Sequence, residues 1–97
     1  MKKLYFTITG INHYYGTDVF REHRKVLLEK DRKNEFDKEA IKVTLEGLGT
    51  VGYVANSPHT VLGDCVSAGR LYDCFRKKGK GRVVYVTERG IVCRLEK

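Results

Sequence analysis

Residues 28–54 hold the pattern that most restricts what this chain can fold into: two short alternations of apolar and polar residues, a polar loop between them, and a glycine-bearing reversal after the second. In Ala40-Ile41-Lys42-Val43-Thr44-Leu45, Ile41, Val43 and Leu45 share one parity, and Lys42 and Thr44 share the other. Successive side chains of a strand point to opposite faces, so this segment reads as a half-buried strand. Gly47 and Gly49 suit a hairpin reversal, after which residues 50–55 return antiparallel. Residues 24–30 form the strand before the loop.

The same reasoning extends outwards. Residues 4–9 alternate Leu4, Phe6 and Ile8 against Tyr5, Thr7 and Thr9, a strand with an apolar inner face. Segments 71–76, 82–87 and 91–95 read as three further strands, giving about seven in all. Ser57-Pro58 is a helix-start signal, because a serine oxygen can cap a free N–H and proline tolerates the first helical position. A short helix is therefore expected from there, with Val61, Leu62, Cys65 and Val66 on one face and Gly69 ending it. Short strands, glycine turns and one helix point to a mainly β fold, a small and partly open β-barrel of about six to seven strands.

At 97 residues the chain is expected to be one domain, 1–97. No stretch approaches the run of about 18 apolar residues that spans a membrane. The Met-Lys-Lys start resembles that of a signal peptide, but residues 4–11 already alternate and offer no cleavage-type site. Cys65, Cys74 and Cys93 are odd in number and lack Cys-x-x-Cys spacing, which fits reduced thiols in a cytoplasmic protein better than disulfides or zinc. No cofactor is expected.

The net charge of +7 is unevenly distributed. Residues 1–69 hold ten Lys/Arg against nine Asp/Glu, whereas residues 70–97 hold nine against three. The densest stretch is Arg76-Lys77-Lys78-Gly79-Lys80-Gly81-Arg82, which reads as a glycine-bearing loop. Such a loop suits a phosphate backbone, and equally it can be a soluble hairpin tip that guards a sheet edge.

Catalytic patterns are absent: there is no nucleophile elbow, His-Glu-x-x-His, phosphate-binding glycine loop or paired-carboxylate nuclease signature. His23 and His59 read as surface residues, while His13 sits beside Tyr14 and Tyr15 in a loop able to line a site. Loop aromatics are the stronger signal, since a solvent-facing ring can stack on a base. Tyr14 and Phe20 are the rings most suited to folding back on the core, and Phe36, with charged neighbours on both sides, is the one most suited to solvent. Asp37 has two readings. It can cap the turn at Lys38-Glu39, or it can accept a hydrogen bond from a hydroxyl while repelling a phosphate.

The order of these motifs resembles the HIRAN domain family. The resemblance rests on Gly10-Ile11-Asn12-His13-Tyr14-Tyr15-Gly16, on residues 28–31, on Asn34-Glu35-Phe36-Asp37-Lys38-Glu39-Ala40-Ile41-Lys42-Val43, and on Val51-Gly52-Tyr53-Val54. It covers about residues 4–69 and implies an OB-like β-barrel. It also implies capture of the 3′-hydroxyl end of single-stranded DNA, as described for the family's best-known member in fork remodelling. By position, Asp37 would accept the terminal hydroxyl and Phe36 would flank the terminal nucleotide. His13 stands where that member has a stacking tyrosine, and Asn12 where it has an arginine. Tyr53 and Asn56 stand where polar or basic side chains follow the Val-Gly pair.

Together these readings predict a non-enzymatic module for single-stranded DNA in a repair or replication context. Its expected contacts are Asn12, His13, Tyr14, Asn34, Phe36, Asp37, Tyr53 and Asn56, with Arg76, Lys77, Lys78, Lys80 and Arg82 holding phosphates. A helicase or nuclease partner would supply any remodelling. The rival expectations are a protein-interaction module that recruits such an enzyme, and a hydrolase with a metal held by Asp and His.

Overall fold

The computed structural model describes residues 3–96. Six strands, β1 (Tyr5–Thr9), β2 (Lys25–Lys30), β3 (Ile41–Leu45), β4 (Gly49–Val54), β5 (Lys78–Thr87) and β6 (Gly90–Glu96), close a barrel in the order β1-β4-β3-β2-β5-β6. Every neighbouring pair is antiparallel. The expected barrel is therefore present but closed, with β5 joining β2 on one side and β6 on the other. One short helix, α1 (Ala68–Leu71), runs directly into a 3-10 turn at Tyr72–Cys74.

The period-two pattern sets the interior. Ile41, Val43 and Leu45 of β3 point inward beside Val26 and Leu28 of β2 and Phe6 and Ile8 of β1, all essentially without solvent contact. Burial of this apolar set is the main stabilising contribution. Leu71 and Ala68 of α1 are also wholly buried and belong to the same core, so the helix closes the barrel by packing rather than by length.

Three sequence expectations need correction. The helix expected from Ser57-Pro58 to Gly69 is a single turn, in which Thr60 and Val61 both donate to the Ser57 carbonyl. It stops because the Leu62 N–H donates instead to Thr7 Oγ1 at 3.1 Å and the Val66 N–H donates to the Tyr5 carbonyl at 2.8 Å. The segment thus lies along β1 and buries Thr7, which alternation had placed outside. Ser57 Oγ does cap that turn, accepting from the His59 N–H at 3.2 Å, and the same chemistry recurs ten residues later, where Ser67 Oγ accepts from the Arg70 N–H at 3.3 Å.

Residues 71–76 form no strand. Tyr72 and Phe75 pack against the core cluster, and Lys30 Nζ lies 4.3 Å from the Tyr72 ring centre and 5.2 Å from that of Phe75. Nor do residues 76–82 form a loop, because β5 begins at Lys78. Its glycines are inward positions of a strand. A Cβ at Gly81 would lie 2.9 Å from Phe6 Cζ, and one at Gly79 would lie 3.0 Å from the Phe75 ring. Lys78, Lys80 and Arg82 consequently all face outward on one side of the strand.

Candidate nucleic-acid interface

The polar loop between β2 and β3 is built from side chains that bond their own backbone. The Asp31 N–H donates to the Ala40 carbonyl at 2.9 Å, closing the loop's base. Asn34 Oδ1 accepts from the N–H groups of both Phe36 and Asp37 at 2.9 Å, and Asp37 Oδ1 accepts from the Glu39 N–H at 2.8 Å. Such local acceptors replace the ladder that the chain gives up when it leaves a strand. With its amide held and no apolar wall behind it, the Phe36 ring is 98% exposed.

Asn56, just beyond β4, ties this loop to the helix. Its Nδ2 donates to Asp37 Oδ2 at 3.2 Å and to Glu39 Oε1 at 3.2 Å, and its Oδ1 accepts from the Gly69 N–H at 2.9 Å. Asp37 therefore fills the capping role and also faces a groove. The capping reading holds, and since a carboxylate has about four acceptor sites, the Glu39 N–H and Asn56 Nδ2 leave acceptor capacity on the groove side.

The groove has a volume of about 500 Å³. Asn34, Phe36, Asp37 and Ala40 form one lip, Tyr53, Val54 and Asn56 the floor and far side, and Thr9, Ser57 and Thr60 the remaining wall. The Tyr53 hydroxyl donates to Asp31 Oδ2 at 2.9 Å. Burial, then that hydrogen bond and the Asp31 charge, push the phenol up to about 12, so it remains a neutral donor.

Gly52 permits this arrangement. A Cβ there would meet Ile8 Cγ2 at 2.6 Å and the Thr9 carbonyl oxygen at 2.8 Å, and Ile11 Cγ2 lies 3.4 Å away. The Val-Gly-Tyr motif thus lets β1 and the 3-10 turn Ile11–His13 settle on β4 beside Tyr53. Buried Ile11 anchors that turn while Asn12, His13 and Tyr14 are exposed.

Of the residues singled out in the sequence, Asn34, Phe36, Asp37, Tyr53 and Asn56 share the groove. Asn12, His13 and Tyr14 follow Thr9, the residue that pairs with Tyr53, and occupy the adjoining rim outside the groove. Arg76, Lys77, Lys78, Lys80 and Arg82 are elsewhere: β5 is three strands from β4 in either direction around the barrel. Sequence reasoning missed the hydroxyls of Thr9, Ser57 and Thr60 and the partnership of Asp31 with Tyr53. Of these only Ser57 carries a signal in the sequence, that of the cap it also is. Among the described residues no three His, Cys, Asp or Glu side chains converge as metal ligands would, and no helix is long and apolar enough to cross a membrane.

Barrel, end helix and loop-built groove together define a small OB-like β-barrel module. The model of the HIRAN domain matches residues 1–95. The chain belongs to the HIRAN domain family. Among solved structures, a protein from Lactobacillus plantarum matches with a TM-score of 0.66 at 21% identity, over 96% of this chain and 90% of that one. The HIRAN domain of human HLTF matches with a TM-score of 0.63 at 23% identity, over 96% of this chain and 70% of that one. No curated protein matches.

Proposed function

We propose that the groove receives the end of a single nucleic-acid strand, with a free DNA 3′-hydroxyl as its preferred terminus. Family membership supports nucleic-acid binding in general. The observation that carries the finer reading is the fixed juxtaposition of a ring 98% exposed, Phe36, with the groove-facing carboxylate of Asp37. The ring stacks on the terminal base, an interaction of about 1–3 kcal/mol. Asp37 accepts a hydrogen bond from the terminal hydroxyl at acceptor capacity left beside the Glu39 N–H and Asn56 Nδ2, and it repels a terminal phosphate. Asn56 holds the carboxylate in place, and Asn34 and Tyr53 offer further polar contacts along the floor. Asn12, His13 and Tyr14 on the rim contact the nucleotides just inside the end. Residues 1–97 act as one binding module in the cytoplasm, and a helicase or nuclease partner in DNA repair or replication does the chemistry.

The test is fluorescence anisotropy with oligonucleotides identical except for a 3′-hydroxyl or a 3′-phosphate. A hydrogen bond to a charged group contributes about 1.5–3 kcal/mol, so wild type should prefer the hydroxyl by roughly 10- to 100-fold. Asp37→Asn keeps an oxygen for the Glu39 N–H and should bring the two ligands within about twofold of each other. Equal binding of both ligands by wild type, or an undiminished preference in the variant, would overturn the reading. Wild type that binds neither at about 0.15 M salt, where the Debye length is about 8 Å, would favour the protein-interaction module instead.

A further inference from the structure

We infer that the outer wall formed by β2, β5 and β6 is a second contact surface for the same single strand, used only when the ligand extends beyond the groove. This rests on the reading of the groove as a nucleic-acid site. Lys78, Lys80 and Arg82 occupy alternate outward positions of β5, about 6.7 Å apart. That interval is close to the separation of successive phosphates in an extended strand. Lys25 of β2 and Arg94 of β6 are paired in register with Arg82 and widen the same row. Two carboxylates lie on the wall, and both are neutralised: Glu96 by Arg82 at 3.1 Å, and Glu29 by Lys42 at 3.6 Å and Lys78 at 4.0 Å. Among the described residues Lys80 makes no ion pair, so its charge is free for a ligand.

The wall is also indented. A cleft of about 470 Å³ is lined by Leu27 and Phe75, with Lys78, Lys80 and the Arg82-paired Glu96 beside them. Leu27 is 38% exposed although it sits in a regular strand. An apolar floor flanked by cations is how proteins bind single strands without reading sequence: bases or sugars lie on the floor while phosphates meet the rim. A duplex would need a broader surface than one cleft.

Register supplies the route from the groove. Tyr53 of β4 pairs with Lys42 of β3, Lys42 with Glu29 of β2, and Glu29 with Lys78 of β5. Three strand spacings of about 4.8 Å each make a backbone arc of about 14 Å, and the path over the side chains outside the closed barrel is longer. A terminus seated in the groove therefore reaches the wall within a few nucleotides, inside the span of about 4–16 nucleotides that an OB fold covers.

Oligonucleotides of four and twelve nucleotides, each with a 3′-hydroxyl, test this by anisotropy across a salt series. Wild type should bind the longer ligand more tightly. Lys78→Ala/Lys80→Ala should bind the four-nucleotide ligand within about twofold of wild type and lose the gain from length. Its slope of log affinity against log salt for the longer ligand should be shallower by about 1.4, at about 0.7 per phosphate contact. Lys78→Arg/Lys80→Arg should restore both. An unchanged slope, or equal weakening of both lengths, would overturn the inference. Failure of the groove reading looks different: Phe36→Ala/Asp37→Ala would leave both lengths unaffected while the lysine variant still flattened the salt dependence. Matching melting temperatures confirm that each variant is folded.

Discussion

As proposed above, the groove beside β4 and the wall centred on β5 meet a nucleic acid in different ways. Groove contacts come from an irregular loop whose shape depends on Asn34, Asp37 and Asn56 bonding to backbone amides and to one another. Wall contacts come from a regular strand in which outward lysines alternate with glycines. A loop can present an isolated ring and a carboxylate at set angles and so discriminate one terminus from another. A strand can only repeat a charge at even intervals, which gives attraction without discrimination. Under that proposal, selectivity and grip fall to separate surfaces.

The largest expected effect tests whether close backbone approach matters equally in both regions. Gly52→Ala on the groove side should cost about 1–3 kcal/mol of stability, since the added methyl meets a Thr9 carbonyl oxygen and a packed isoleucine that have nowhere to move. Gly79→Ala on the wall side should cost clearly less, because the nearest atoms belong to the half-buried Phe75 ring, which can tilt by a few tenths of an ångström. Urea unfolding of the two variants measures the gap. Equal losses would show that β5 is as tightly constrained as β4.

Phe36→Ala comes next and sharpens the functional contrast. The ring touches almost nothing in the free protein, so the melting temperature should not change. Affinity for a short oligonucleotide should fall by about 5- to 150-fold, corresponding to the loss of about 1–3 kcal/mol of stacking. The salt slope should stay as it was, because no phosphate contact is removed. Anisotropy at several salt concentrations separates these quantities, and a changed slope would mean that Phe36 acts through the nearby charges.

Legibility followed physical range. The alternation of residues 41–45, the glycine hairpin after it and the exposed ring of Phe36 are local patterns, and each appears where it was expected, whereas Asp37 beside that ring is half-buried. The Ser57-Pro58 helix ends after one turn because its competitor is distant in sequence: Thr7 Oγ1 takes the Leu62 amide, and nothing around residue 62 signals that. The basic stretch was misjudged for a different reason. Lys78-Gly79-Lys80-Gly81-Arg82 is itself a period-two pattern, but glycine has no side chain to mark an inward position. The rings of Phe75 and Phe6 fill the vacated space from elsewhere in the chain. Charge density alone marked these cations as phosphate contacts, and only the closing order of the barrel places them on a wall away from the groove.

The smallest predicted effect concerns Tyr53, where the groove and the path to the wall meet. Its hydroxyl donates to Asp31 at 2.9 Å, and its pKa of about 12 stands above the ordinary 10.0, so the fold favours the protonated phenol. The resulting stabilisation is fully present below pH 10 and is lost as the pH rises towards 12. Tyr53→Phe removes both the bond and its titration. At pH 8 the variant should be less stable by about 0.5–1.5 kcal/mol, the usual net contribution of one hydrogen bond. Between pH 10 and 12 that difference should shrink, because wild type loses what the variant never had, while the lysines and other tyrosines titrate alike in both proteins. Urea unfolding of the two proteins at pH 8 and near pH 11 is the measurement. A difference that stays constant with pH would mean that burial and Asp31 together do not hold the phenol in its neutral form, and the floor of the groove would then carry a different charge in alkaline solution.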